Sequence, residues 1–137
     1  MTDFVERTNG ARVYAAPRQD KPWGHEVIFA AGEAGYVGKV ISVTAGHSLS
    51  LQLHERKVET ISIVQGRGLV EFGARPDALA RRRLVPGDTI HLPAFTIHRM
   101  TAITDLVFVE ASTADEGWRE DVVRLEDMYG RVGTSTP

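Results

Sequence analysis

The chain of 137 residues sets 16 Lys and Arg against 18 Asp and Glu, a formal net charge of −2, with 42% hydrophobic residues. That length suits one domain with a real core, and the near-neutral balance argues against nucleic acid as a partner. There is no cysteine, which excludes disulfides, thiolate metal sites and Cys nucleophiles.

Residues 1–24 read as an irregular N-terminal arm, punctuated by Pro17, Pro22 and Gly24. Their first residues lack the apolar run of a secretory signal, and no later stretch reaches membrane-spanning length. The expectation is a cytoplasmic protein with no membrane partner. From Glu26 onward the pattern is strand, turn, strand. Residues 26–30 form a short apolar run, and residues 37–43 are rich in β-branched side chains. Residues 47–54 alternate, with Leu49, Leu51 and Leu53 on one side and Ser50, Gln52 and His54 on the other. Residues 58–65 read as a strand ended by Gly66, with residues 69–72 returning beside it as a hairpin across Gly66-Arg67-Gly68.

Gly73 to Asp77 break the pattern, so the stretch up to Arg83 reads as a long hairpin loop, and Arg81-Arg82-Arg83 as a solvated strand edge or loop. Pro86-Gly87-Asp88 is a turn in which Pro fixes φ and Gly permits the left-handed position. Residues 89–92, 97–101 and 106–111 complete the strands. Residues 115–129 are acidic and amphipathic, fitting a short helix or an extended cover strand, and residues 132–137 read as a disordered tail. Many short strands divided by Gly and Pro turns predict an all-β, single-domain jelly-roll barrel over residues 25–131. Its open strand edges favour a homodimer.

Within that frame one group of residues can meet. Gln52 and His54 are two apart in a strand and share a face. Glu59 returns to the same point across the bend at Glu55-Arg56-Lys57, and His98 follows the Pro93-Ala94-Phe95 turn. Two imidazoles, one carboxylate and one amide oxygen form a ligand set for one divalent ion: Zn first, then Mn, Ni, Co or Fe.

The spacing from Gly46 through Gln52, His54 and Glu59 to Gly66 resembles the first cupin motif, with Gln where His is usual. Gly87, Pro93, Phe95 and His98 resemble the second, with Phe95 in place of a usual Gly and Ala102 in place of a usual Asn. The likeness narrows further. Lys21-Pro22-Trp23-Gly24-His25-Glu26, Leu49-Ser50-Leu51-Gln52-Leu53-His54 and the closing Glu126-Asp127-Met128-Tyr129-Gly130-Arg131 resemble signatures of the cupin domain of type II phosphomannose isomerases. The resemblance implies a cupin (double-stranded β-helix) fold and a metal held by Gln52, His54, Glu59 and His98. Many members of that family also carry a nucleotidyltransferase domain upstream, which these 137 residues do not contain.

The reaction implied is aldose–ketose isomerisation of a sugar phosphate of the mannose 6-phosphate/fructose 6-phosphate type. It needs a proton shuttle, for which Lys57 is the first candidate and His91 and Glu110 follow. It also needs cations for the phosphate, for which Arg99, beside His98, and Arg131, in the closing signature, match the family. His91 and Glu110 are further candidates to line the substrate site. Trp23 and Trp118 suit core or lid packing. Two other readings stand beside this one. Two His and one Glu also resemble the triad of Fe(II) dioxygenases acting on small organic acids. A sugar-binding cupin without catalysis is the third.

Overall fold

β-Branched and apolar residues recur at every second position over most of the chain, and such a pattern becomes half-buried strand. The computed structural model describes residues 5–134, with side chains described from residue 9 onward. Thirteen strands form within that span: β1 (Val5–Thr8), β2 (Ala11–Tyr14), β3 (Arg18–Lys21), β4 (Gly24–Ala31), β5 (Tyr36–Val43), β6 (Leu51–Leu53), β7 (Glu59–Gln65), β8 (Gly68–Gly73), β9 (Ala80–Leu84), β10 (Thr89–Leu92), β11 (Ile97–Ala102), β12 (Leu106–Thr113) and β13 (Val123–Glu126). All pairings are antiparallel. One sheet runs β10-β7-β12-β5-β4-β3, the facing sheet β13-β6-β11-β8-β9, and β1 pairs with β2 alone. This is the two-sheet jelly roll expected from the turn spacing. No helix among the described residues is long and apolar enough to cross a membrane.

The inward faces are apolar at one end and polar at the other. Val43 lies opposite Leu106, and Ile41 opposite Phe108, which in turn faces Ile63. With Val70, Met100 and Ala102 of the other sheet these residues form the buried core. Further along the same lanes Lys39 lies opposite Glu110, and Ser112 opposite Glu59. On the facing sheet Met100 gives way to His98, which stands beside Gln52. The hydrophobic end holds the sheets together, and the polar end is where a site can form.

Three expectations change, and one left open between helix and strand is decided. The N-terminal segment is not irregular: β1 and β2 form a hairpin around Asn9 and Gly10, both with positive φ (54° and 83°), as a two-residue hairpin loop requires. Arg12 ties that hairpin to Glu33 at 3.0 Å, and the Tyr14 hydroxyl donates to the carbonyl of Phe29. β7 and β8 are not a hairpin. The chain crosses from one sheet to the other at Gly66-Arg67-Gly68, where Gly66 has φ 85° and an added Cβ would lie 1.9 Å from the Asp105 carbonyl oxygen. The loop expected to reach Arg83 ends earlier, because Arg81 to Arg83 lie in β9, which pairs with β8 as an exposed edge strand. The closing segment resolves to strand β13 beside β6.

The tail falls partly outside the described residues; within them, Arg124 donates from Nη1 to the carbonyl and hydroxyl of Thr134, each at 3.3 Å. Phe95, standing where a Gly is usual, has φ 66°. That left-handed conformation costs an L-residue with a Cβ about 1–2 kcal/mol. The turn is nevertheless held, since the Phe95 amide donates to the His54 carbonyl at 2.7 Å.

Candidate metal centre and the cavity beside it

Three side chains from three elements converge at the polar end. His54 directly follows β6, Glu59 opens β7 and His98 lies at the start of β11. His54 Nε2 is 3.2 Å and His98 Nε2 3.0 Å from the same oxygen, Glu59 Oε1. The ligating atoms of all three lie within 4.8 Å of one another, and all three residues are buried.

The outer ring nitrogens set the tautomers. His54 Nδ1 lies 2.6 Å from the Asp121 carbonyl, and His98 Nδ1 lies 2.9 Å from the Thr96 carbonyl. A carbonyl only accepts, so each Nδ1 carries the proton and each neutral ring turns an Nε2 lone pair inward. With both rings neutral, two lone pairs and a carboxylate would face one another with no hydrogen between them. Glu59 Oε2 is buried with no hydrogen-bond partner among the described residues. A proton or a cation must fill such a gap, and ring nitrogens oriented through carbonyl bonds are the usual arrangement around a metal. The residues fit a divalent ion.

Gln52 stands at the same point. Its Nε2 is 3.5 Å from His54 Nε2, and its Oε1 accepts from the Ser50 hydroxyl at 2.6 Å. The two ends of an amide are assigned rather than seen. Turned over, the nitrogen donates to Ser50 Oγ and the oxygen faces the imidazoles, where it could reach an ion held by them.

Asp121 builds the corner between His54 and Glu59. Its carboxylate accepts the backbone amides of Glu55 at 2.8 Å, Arg56 at 3.0 Å and Lys57 at 2.9 Å. The closing segment therefore positions His54 by its carbonyl and the bend by its side chain. Burial works to raise the Asp121 carboxyl, but these amide bonds outweigh it and hold it below the usual range. A carboxyl depressed in the folded state contributes stability that is present above its unfolded value, about 3.9, and lost as pH falls through the folded one. Asp121→Ala is expected to cost about 2–3 kcal/mol at pH 7, the loss of charge-assisted bonds to a part-buried turn. In urea titrations the gap from the wild type should narrow below about pH 4; a gap constant down to pH 2 would refute the clamp.

Several charges act on Glu59 at once. Burial opposes its ionisation, but hydrogen bonding to His54 and His98 and the charge of Lys57 hold it well below the usual carboxylate range. Burial works to lower His98, and its bond to Glu59 raises it overall. Lys57 Nζ lies 3.8 Å from Glu59 Oε2 and 3.9 Å from Glu110 Oε2. Burial alone would lower Lys57, but Glu110 and Glu59 outweigh it and raise it. Burial, then the charge of Glu59, push the Glu110 carboxyl up to about 7.

The other expected site residues divide. Lys57, Glu110 and Arg131 line one cavity of about 80 Å³, together with Gln52 and His54. Arg131 makes a bidentate pair with Asp127, at 2.8 and 3.1 Å. Arg99 does not join them. It follows His98 in a strand and so leaves the opposite face, where it pairs with Glu71 at 2.9 Å and Glu126 at 3.2 Å. His91 is exposed on β10, its Nδ1 2.9 Å from the Thr60 hydroxyl. Trp23 is buried in the core, and Trp118 lines the cavity under Lys39.

Sequence reading missed Lys21, Glu26, Lys39, Asp121 and Arg124 as parts of this site. Lys21 and Glu26 lie within the entry signature, and Asp121 and Arg124 within the stretch from Asp121 to Arg131 that carries the closing one. Lys39 gave no signal, as a lone Lys in a β-branched run.

A family model described as "Mannose-6-phosphate isomerase C-terminal" matches residues 9–127. Among curated proteins, the chain is similar to mannose-1-phosphate guanylyltransferase ManC of Salmonella typhimurium, 32% identical over 116 residues, covering 82% of this chain and 22% of that protein. It is also similar to the alginate biosynthesis protein AlgA of Pseudomonas putida, 29% identical over 136 residues, covering 97% of this chain and 25% of that protein. The chain thus spans about a quarter of the length of these relatives. Among solved structures, the capsular polysaccharide assembling protein CapF of Staphylococcus aureus superposes with a TM-score of 0.72 at 18% identity, over 83% of this chain and 35% of that one. Oxalate decarboxylase of Bacillus subtilis superposes with a TM-score of 0.70 at 13% identity, over 80% and 30%. At these identities the likeness is one of fold.

Proposed function

The chain belongs to the mannose-6-phosphate isomerase C-terminal family, and from that footing we propose that it is a metal-dependent aldose–ketose isomerase of a sugar phosphate, of the mannose 6-phosphate/fructose 6-phosphate type. The observation that carries the reading is the buried Lys57–Glu110 pair standing against the His54, Glu59 and His98 cluster, at 3.8 Å from Glu59. Isomerisation moves one proton between adjacent carbons, so it needs a group poised near neutral pH beside a site that stabilises negative charge.

His54, Glu59 and His98, with Gln52, would hold the ion, in the order Zn, Mn, Ni, Co, Fe. When bound, such an ion acts as a Lewis acid toward the negative charge that develops on the sugar oxygens. Glu110, pushed up to about 7, takes the proton from one carbon and returns it to the next. Lys57, with its pKa raised, keeps its proton and, standing between Glu59 and Glu110, positions the Glu110 carboxylate. The role first given to Lys57 as the shuttle thereby passes to its partner, and Lys57 becomes the positioning cation. The apolar floor of the cavity, Ile28, Ile41 and Leu49, excludes water from the reacting carbons.

The test is a coupled assay of mannose 6-phosphate with the purified chain loaded with Zn or Mn. Turnover is expected, with a loss of 10²-fold or more in Glu110→Gln, the usual worth of a positioned base. Sugar phosphate bound without turnover would assign the chain to non-catalytic binding instead. Oxygen consumption by the Fe-loaded protein would assign it to the oxygenases.

A further inference from the structure

We propose that a second copy of this chain covers the outer face of the six-stranded sheet, so that the protein is a two-fold dimer packed sheet on sheet. Register defines that face. Ile41, Phe108 and Ile63 are buried between the two sheets, so their neighbours in sequence leave the other way. From β4 to β10 one outer row reads Val27, Val40, Val109, Ser62, Thr89. The next reads Gly38, Ala111, Thr60, His91. Phe29 lies over Gly38, where an added Cβ would stand 2.4 Å from its ring.

The charges are distributed the wrong way round for a face in water. Strands β4, β5, β7, β10 and β12 hold Glu26, Lys39, Glu59 and Glu110 as their charged residues. All of these turn inward, to the cavity or to the histidine cluster. The outward positions carry no Asp, Glu, Lys or Arg. A solvated sheet face is ordinarily polar, and the facing sheet obeys that rule, with Glu71, Arg81, Arg83 and Arg99 on its outer side. On the large sheet, charge returns only at the rim. Arg18 pairs with Asp20 at 3.0 Å on the edge strand β3, and Arg12 with Glu33 at 3.0 Å at the corner. An uncharged centre within a polar rim is the anatomy of a protein interface. Phe29, Tyr36 and Val64 are 41%, 57% and 54% exposed in the single chain.

Area and symmetry select a second copy as the occupant. Five strands about 4.8 Å apart, each about 20 Å long on this face, make roughly 500 Å² per copy. Two such faces reach the total of about 1,000 Å² that a specific interface needs. A two-fold interface requires a surface complementary to itself, and an uncharged pleated sheet meets that requirement with no like charges opposed. Two sheets of this kind pack face to face about 10 Å apart. The β1–β2 hairpin adds to the contact. It pairs with no other strand among the described residues, and a lone two-stranded hairpin is marginal in water. Its Tyr14, with Phe29 and Tyr36, lines a cavity of about 240 Å³ open to the second copy. Glu59 and Glu110 face the other way, so the dimer stands apart from the isomerase reading.

The test is sedimentation equilibrium of the full chain, 15.1 kDa per copy, from about 1 to about 100 μM, a range that brackets micromolar dissociation. A dimer is expected, and it should persist at high salt, because no ion pair crosses its centre. Val109→Lys sets an ammonium group at the middle of the face against its own copy and should give a monomer. Val64 is already exposed, so Val64→Lys keeps the fold, which circular dichroism checks, and should weaken the dimer at least tenfold. Leu125→Lys, on the facing sheet, should leave it unchanged. A monomeric wild type, a dimer untouched by Val64→Lys, or a dimer dissociated by salt alone overturns the proposal. A monomer that binds an apolar dye, with binding lost in Val64→Lys, would give the face to a different protein and overturns it equally.

Discussion

Glu59→Gln is expected to abolish tight divalent-ion binding while leaving the fold intact. Glu59 supplies the only negative charge in the proposed ligand set, and its Oε1 is the point on which both imidazoles converge. Loss of a group that merely orients a ligand already costs 10–100-fold in affinity, so loss of this ligand should cost at least 10²-fold. The fold survives because the amide nitrogen has two hydrogens to offer the two facing Nε2 lone pairs. The same variant should lower His98, whose raised value comes from Glu59 working against burial. In the wild type, ion and proton compete for that imidazole. A group raised in the folded state lends stability below its unfolded value, about 6.5, and loses it as pH rises through the folded one. Ion affinity should therefore climb with pH up to that raised folded value and level off above it, with a proton released on binding below it. Elemental analysis, calorimetry in two buffers of different ionisation enthalpy, and a histidine titration by NMR check the three parts. A Glu59→Gln protein that still binds Zn as tightly as the wild type would remove the centre.

Much of this site could be read from the sequence because it obeys short rules. Gln52 and His54 share a face by the period of two, and Glu59 returns across one bend. The same rule defeats the reading of Arg99. Adjacency to His98 in sequence is opposition in a strand, and Arg99 leaves toward Glu71. His91 fails in the same way, since β10 turns it outward against Thr60. The β7–β8 hairpin failed for a different reason. Gly66-Arg67-Gly68 provides a sharp turn, and a sharp turn is the same whether the chain returns alongside or crosses to the facing sheet. What decides is the partner of each strand, β12 for β7 and β11 for β8, both far along the chain. The N-terminal hairpin carried a readable signal in Asn9-Gly10, but the four residues of β2 are mostly exposed and so give little apolar pattern to read. Lys21, Lys39 and Arg124 sit on three strands whose meeting is a matter of topology, which no spacing rule along the chain encodes.

Lys57→Met should be the most destabilising single change at the polar end, and a divalent ion should recover part of the loss. Lys57 is 6% exposed between two buried carboxylates, and its aliphatic stem is close in volume to Met. The substitution keeps the packing and removes the charge, leaving Glu59 and Glu110 together without their shared cation. Breaking a buried pair in this way costs about 3–5 kcal/mol. The cost should depend on pH with a definite sign. Glu110 is raised in the folded state to about 7, so its protonation relieves the repulsion at low pH and its ionisation restores it as pH rises. Without Lys57 to oppose it, that value moves further up. The penalty is therefore smaller at pH 6 than at pH 8. Zn supplies a positive charge to Glu59 and should stabilise the variant more than it stabilises the wild type, where Lys57 competes for the same carboxylate. Thermal melts at both pH values, with chelator and with Zn, measure all of this at once. Equal melting of Lys57→Met and wild type under all four conditions would show that the two carboxylates do not depend on this cation. The role of Glu110 as a group held near neutrality would then fall with it.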